Sequence, residues 1–361
     1  MIRRVARRAL CLQRGRRALS TADGTGITVA DDSGGTFAGR RLFQKDLFAG
    51  RTALVTGGAT GIGFAIAADL LALGVDTVIA SRNADRLARA ADQLRAGAAA
   101  HGGSAVHALP CNIRDESAVS GLFDQAAEAC DGRPIDFLVN NGGGQFPSRA
   151  EDIPAKGWHA VVETNLTGTF YMCREFHRHR RAAAAASGDA SDGDDALRVG
   201  RGNGAIVNII CDMWNGFPGM AHTGAARAGV DNLTKSLAVE WADSGIRVNA
   251  VAPGVIYSDT AAANYADKNM FQKAVSAIPA GRLGAPSEVS AAVCFLLSPG
   301  GAYISGATLQ VDGACPLTGP VGFRPVAHHA NAERPPAADA ADDANDAGDD
   351  KDKDPWGSFR I

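Results

Sequence analysis

From Leu47 onward the chain alternates short, unbroken apolar runs with longer stretches of helical period. Arg51–Thr56 (RTALVT) predicts a buried strand and Gly61–Leu73 a helix; Thr77–Ala80 predicts a second strand and Ala84–Leu94 a second helix. Ala105–Pro110, Phe137–Asn140, Ala205–Ile209, Arg247–Val251 and Leu309–Val311 predict further strands, with helical patterns between most of them. A strand that is apolar at consecutive positions, rather than at alternate ones, is covered on both faces. Strands of that kind alternating with helices predict an α/β fold with a doubly wound parallel sheet. One such domain is expected over residues 47–317.

The flanks do not share this pattern. Residues 1–22 hold seven arginines and no acid. This composition predicts a mitochondrial transit peptide, with a basic disordered terminus as the plainer alternative. Residues 23–46 read as a linker, 182–200 (AAAAASGDASDGDDALRVG) as a low-complexity surface insertion, and 327–361 as a disordered acidic tail. Removing the seven N-terminal charges from a net charge of −3 leaves the remainder strongly acidic, with no basic patch for nucleic acid. No apolar run is long enough to span a membrane. The 7 cysteines are scattered, odd in number and never spaced C-x-x-C, which argues for a reducing compartment and against a metal site or a disulfide framework. The C-terminal Phe359-Arg360-Ile361 is not a peroxisomal address of the S-K-L type.

Chemistry enters at Thr56-Gly57-Gly58-Ala59-Thr60-Gly61-Ile62-Gly63, which follows the first strand and opens a helix. Gly57 suits a tight turn, Gly61 a close approach of backbone to a pyrophosphate, and Gly63 close packing of helix on sheet. Thr60 and Ile62 add backbone N–H groups at the helix start. The fold expected is therefore of the Rossmann type, with a dinucleotide at this turn. The second strand ends Ala80-Ser81-Arg82-Asn83, where a site for NAD would place an acid. Arg82, with Arg86 one helical turn on and Ser81 beside it, predicts a clamp on a 2′-phosphate and hence NADP(H). Solvated surface arginines are the plainer reading.

The Thr56–Gly63 turn resembles the glycine motif of the short-chain dehydrogenases/reductases. Asn140-Asn141-Gly142-Gly143 is similar to that family's turn after the fourth strand, Asn165 to its helix asparagine, and Pro253-Gly254 to its cofactor loop. The resemblance covers about Leu47–Gly313. Three stretches, Leu138–Phe146, Lys156–Cys173 and Ala252–Tyr257, resemble the family's trans-2-enoyl-CoA reductase branch, with Gly224–Lys235 also similar. The 2,4-dienoyl-CoA reductases are next in pattern. The resemblance implies cofactor contacts from Asn112, Ile113, Asn141, Gly142, Gly143, Arg227, Pro253, Gly254, Val255 and Ile256. It also implies an acyl-CoA substrate, a homotetramer built through the helices of Trp158–Arg180 and Ala221–Asp243, and a peroxisomal location as alternative to the mitochondrial matrix.

The family's Ser and Tyr-x-x-x-Lys are missing. By alignment on Ala228-Gly229-Val230, lysine's place falls to Arg227, tyrosine's to Thr223 and serine's to Cys211. A frame built on Lys235 puts Asp231 in tyrosine's place, again without a phenol. Carbonyl reduction makes an alkoxide that needs an acid near neutral pH, which neither threonine nor arginine supplies. Conjugate reduction of an enoyl thioester instead builds an enolate, whose oxygen needs donors worth about 3–4 kcal/mol each. Asn165, Thr223 and Arg227 are donors, which suits conjugate reduction; the thioester itself is what the resemblance implies, and with it NADPH-dependent reduction of trans-2-enoyl-CoA is the leading expectation. A 2,4-dienoyl- or 3-oxoacyl-thioester reductase and an inactive NADP-binding subunit are the rivals. Plain readings stand beside each candidate: Asn165 at a helix kink, Cys211 as an inert thiol, Thr223 as a helix cap, and Asp231 with Lys235 as a helical ion pair. Tyr257 is either a proton donor or packing for a lid over Ser258–Ala280.

Overall fold

The computed structural model describes residues 43–99, 103–187, 204–258, 261–262 and 269–317. The expectations for residues 1–22, most of the linker, most of the insertion and the acidic tail lie outside them. Phe43, four residues ahead of the expected boundary, packs with Leu47 against the core that contains Phe48. Ala182–Ser187, assigned above to the insertion, prolong a helix. Alanine's high helix propensity accounts for this.

All seven predicted strands are present: β1 (Thr52–Thr56), β2 (Asp76–Ser81), β3 (Val106–Pro110), β4 (Phe137–Asn140), β5 (Ala205–Ile209), β6 (Arg247–Pro253) and β7 (Thr308–Val311). They form one sheet in the order β3-β2-β1-β4-β5-β6-β7, and every pairing is parallel. The helices are α1 (Gly61–Ala72), α2 (Ala84–Ala99), α3 (Glu116–Ala129), α4 (Ala155–Val162), α5 (Gly168–Ser187), α6 (Ala221–Glu240), α7 (Asn269–Ala277) and α8 (Pro286–Leu297). A π-helical turn, Glu163–Thr167, joins α4 to α5.

Side chains of β1 alternate between two cores. Leu54 packs with Phe123 of α3, Phe176 of α5 and Trp241 after α6. Ala53 and Val55 pack with Ile66 and Leu70 of α1 and Val293 of α8. Both faces of the sheet are thereby covered, which is why its strands read as continuous apolar runs. Connections from β1 leave in opposite directions, to β2 on one side and, after β3, to β4 on the other. This reversal opens a crevice at the carboxyl ends of β1 and β4, the place where open α/β sheets bind ligands. Among the described residues, no helix is long and apolar enough to cross a membrane.

Candidate active site

The crevice is built by hydrogen bonds between its two lips. At the end of β1 the Thr56 hydroxyl accepts the N–H groups of Asn141 (3.0 Å) and Gly142 (2.8 Å). Asn141 returns the link, its side-chain amide donating to the carbonyls of Thr56 (3.2 Å) and Gly57 (3.3 Å). Gly57 takes φ +64°, a conformation open to glycine. A Cβ on Gly63 would collide with the Gly57 carbonyl and lie 2.5 Å from Asn141 Nδ2. The turn is thus a cradle with no room for side chains. Thr60 precedes α1 without a side-chain cap bond, so the helix start keeps free N–H groups facing outward.

The second strand ends at Ser81, followed by Arg82 and Arg86, both exposed. Neither has a carboxylate partner among the described residues. Asn83 caps α2, its Oδ1 accepting the Arg86 N–H at 2.8 Å. Asp76 has other duties: it accepts the Ala105 N–H (2.7 Å) and pairs with Arg133 (2.5 Å). Asn112 and Ile113 follow β3, and Ile113 packs over Gly142 and Gly168. Beyond β6, Gly254 donates to the Val311 carbonyl at 3.0 Å, and Ile256 bridges to Gly284. Val255 and Ile256 line a cavity of about 200 Å³ with Arg282 and Glu288.

At the substrate end, Arg227 on α6 is part-buried and donates to the Ile209 carbonyl at 2.6 Å. Its other terminal nitrogen lies where a Cβ on Gly143 would fall. Among the described residues no carboxylate reaches it. Burial pulls its pKa down, with the Cys211 thiol partly opposing. One turn earlier, Thr223 is buried and its hydroxyl has no partner. Met220 holds the N-cap position, so Thr223 lies inside the helix and the cap reading falls away. Cys211 is a thiol, pushed up to about 11 mainly by burial, and is therefore protonated and unreactive at neutral pH.

Asn165 sits fully buried in the π turn. Its amide nitrogen donates to the carbonyls of Gly144 (2.7 Å) and Val161 (2.8 Å), while its oxygen accepts the Gly144 N–H (3.3 Å). Both amide hydrogens are engaged, so Asn165 holds the loop after β4 and offers no free donor. Tyr257 packs edge-on against Phe271 of α7, centroids 5.5 Å apart, in the apolar cluster with Leu283. Packing is the role this contact supports. Asn264 and Tyr265, within the Ser258–Ala280 stretch expected as a lid, lie outside the described residues. Asp231 and Lys235 form the i,i+4 ion pair, and Asp231 also accepts the Thr308 hydroxyl. Sequence reasoning missed Thr56 as the crevice latch and His222, buried beside Thr223 with both ring nitrogens lacking a hydrogen bond. The place of His222 next to the missing tyrosine was the signal available.

Residues 57–314 match the family described as enoyl-(acyl carrier protein) reductase. The chain is a short-chain dehydrogenase/reductase. It is 34% identical over 298 residues to the peroxisomal 2,4-dienoyl-CoA reductase of Pongo abelii, covering 81% of this chain and 92% of that protein. The corresponding Danio rerio protein is 32% identical over 281 residues, 77% of this chain and 85% of its own length. Among solved structures, the citronellol catabolism dehydrogenase AtuB of Pseudomonas aeruginosa is similar at 38% identity and a TM-score of 0.60, covering 76% of this chain and 98% of that one. Members of this family bind nicotinamide dinucleotides, and the glycine cradle, the open start of α1 and Arg227, which no carboxylate among the described residues reaches, fit one. The narrower likeness to trans-2-enoyl-CoA reductases is not what these relatives carry; two of them bear the dienoyl name.

Proposed function

We propose that this short-chain dehydrogenase/reductase reduces the conjugated double bond of an unsaturated acyl thioester, trans-2-enoyl-CoA in the first place, with NADPH. One observation carries the reading. Where the family's acid and lysine would stand, the structure has a buried, unpaired threonine hydroxyl and an arginine without a carboxylate. That pair stabilises a developing oxyanion but cannot protonate an alkoxide.

The residues that would hold the cofactor are the Gly57–Gly63 turn at the pyrophosphate, Asn112 and Ile113 at the base, and Arg82 with Arg86 at the 2′-phosphate. Arg227 and the Pro253–Ile256 loop would hold its nicotinamide half. When bound, the reduced nicotinamide supplies the hydride. Thr223 then donates to the thioester oxygen as charge gathers there, and Arg227 adds a fixed positive charge. Asn165 keeps the Gly144 loop in register through two hydrogen bonds to Gly144, with a third to Val161 fixing its own amide. The Cα proton comes from water, so no side chain near pKa 7 is required.

The relatives favour a second reading within the same chemistry, 2,4-dienoyl-CoA as substrate. A dienolate places its charge on the same oxygen and needs the same two donors. Loss of NADPH absorbance with crotonyl-, decenoyl- and decadienoyl-CoA separates the two. Turnover with none of the three, but with a 3-oxoacyl-CoA, refutes both. We further propose import of residues 1–22 into mitochondria, testable with a fluorescent fusion. A homotetramer is proposed too, resting on exposed apolar residues such as Val239 of α6 (79% exposed) and Phe170 of α5, and testable by light scattering.

A further inference from the structure

His222 is fully buried, yet neither ring nitrogen makes a hydrogen bond of acceptable geometry. The backbone of Met220 faces the ring and partly opposes the effect of burial on its pKa. Whichever nitrogen turns toward that backbone, the other remains unpaired. Leaving a buried polar group unpaired costs about 1–3 kcal/mol, and folded proteins rarely tolerate it without a reason. Here two neighbours share the condition, since the Thr223 hydroxyl is also buried and unpaired. Both stand in the first turn of α6, one turn ahead of Arg227.

One aromatic ring packs directly on the imidazole. Phe146 lies edge-to-face on His222, with centroids 4.4 Å apart and planes at 84°. The far side of the same ring rests on Gly157 of α4, where a Cβ would come within 2.7 Å of it. Phe146 belongs to the loop after β4, which begins with Gly142-Gly143-Gly144 and is anchored at Gly144 by Asn165. Further along, Ser148 N–H donates to the Gly219 carbonyl at 2.7 Å, tying this loop to the segment leading into α6. The loop is therefore tied down at Gly144 and Ser148, with the Phe146 ring between them lying against the His222 imidazole.

We propose that His222 is a substrate-binding residue, its imidazole hydrogen-bonding the polar linkage of the acyl substrate, a thioester carbonyl or the neighbouring amide of its carrier arm, when Phe146 is displaced. This rests on the acyl-thioester reading above. Burial holds the imidazole below its ordinary pKa, so at neutral pH it is uncharged and carries one donor and one acceptor.

The test compares wild type with His222→Phe and His222→Gln in the full-length protein. His222→Phe keeps a ring against Phe146 and removes the buried unpaired nitrogens, so its Tm should equal or exceed that of wild type. Its kcat/KM for the best acyl-CoA should nevertheless fall about tenfold, mostly through KM. NADPH affinity should stay within twofold. His222→Gln, which restores a donor and an acceptor, should recover part of the loss. A small conjugated aldehyde without the carrier arm assigns the contact: loss on both substrates marks the reacting carbonyl, and loss on acyl-CoA alone marks the amide. Unchanged kcat/KM in His222→Phe, with wild type active, overturns this proposal and leaves the acyl-thioester reading standing. A drop in Tm accompanied by loss of NADPH binding overturns it in favour of a packing role. A wild type inactive on every acyl-CoA removes both.

Discussion

Two arginines, at opposite ends of the sheet, show how differently this molecule treats a buried cation. Arg180, below the amino ends of the strands, meets the Asp136 carboxylate at 3.1 Å. Asp136 also accepts from Arg51 and from the Thr52 N–H, each at 3.0 Å. Arg227, at the carboxyl ends, donates to one carbonyl, and no carboxylate among the described residues reaches it. Burial lowers the pKa of both, but only Arg180 has a neighbouring acid to offset it. The lower end is internally satisfied and serves stability. The upper end keeps a charge that no carboxylate among the described residues reaches, and a hydroxyl and an imidazole without a hydrogen-bond partner there. Groups left in that state mark the place where a ligand completes the structure.

The contrast can be broken most severely at Arg227. Arg227→Met should fold as well as wild type while kcat/KM falls by about two to three orders of magnitude, the scale of a lost charge-assisted contact to an oxyanion. Arg180→Met should do the reverse, leaving Asp136 buried with one fewer cation and lowering Tm with little effect on catalysis. Thermal melts run beside steady-state kinetics decide between them. Thr223→Val comes next. Its hydroxyl has no partner to lose, so stability should hold while kcat falls about tenfold to a hundredfold. Equal Tm and equal kcat would return Thr223 to a packing role.

Arg82→Ala should weaken NADPH about tenfold or more in a titration and leave NADH unchanged, since only the 2′-phosphate is lost as a partner. Equal weakening of both would deny Arg82 its discriminating role. The smallest effect expected is on stability in acid. Folding lowers the pKa of His177, His179 and His222 from the ordinary 6.5, in each case chiefly through burial. The unfolded chain therefore binds protons first as the pH falls. This contribution is fully present above 6.5 and is lost progressively below it. His179 adds a specific cause, because its Nε2 accepts the Ile135 N–H at 3.1 Å and protonation removes that acceptor. Tm should decline between pH 7 and 5, and less so in His179→Gln.

The sheet was legible because each parallel strand is buried on both faces and reads as an unbroken apolar run, as in Ala53-Leu54-Val55. The limits of β4 and β5 are as expected, and those of the other five strands moved by one or two residues, most at β6, which runs on to Pro253. The glycine cradle was legible too, since its residue types follow from backbone clearance. The π turn was not: one extra residue per turn leaves no trace in composition, so Asn165 could be located but not its bonds to Gly144. His222 escaped notice because an unpaired histidine differs from a paired one only in its three-dimensional surroundings. Resemblance located Thr223 and Arg227, and the folded geometry added what it could not, the missing carboxylate.

The central claim is that hydride reaches a carbon of the conjugated chain and negative charge rests on the thioester oxygen. The direct measurement uses NADPH deuterated at the nicotinamide C4, with enoyl-CoA, dienoyl-CoA and 3-oxoacyl-CoA offered together and the products read by mass spectrometry and NMR. The account predicts deuterium on an alkyl carbon of an acyl chain that has lost one double bond, and no labelled alcohol. Deuterium on the carbinol carbon of a 3-hydroxyacyl product, with the enoyl and dienoyl thioesters recovered intact, would contradict it.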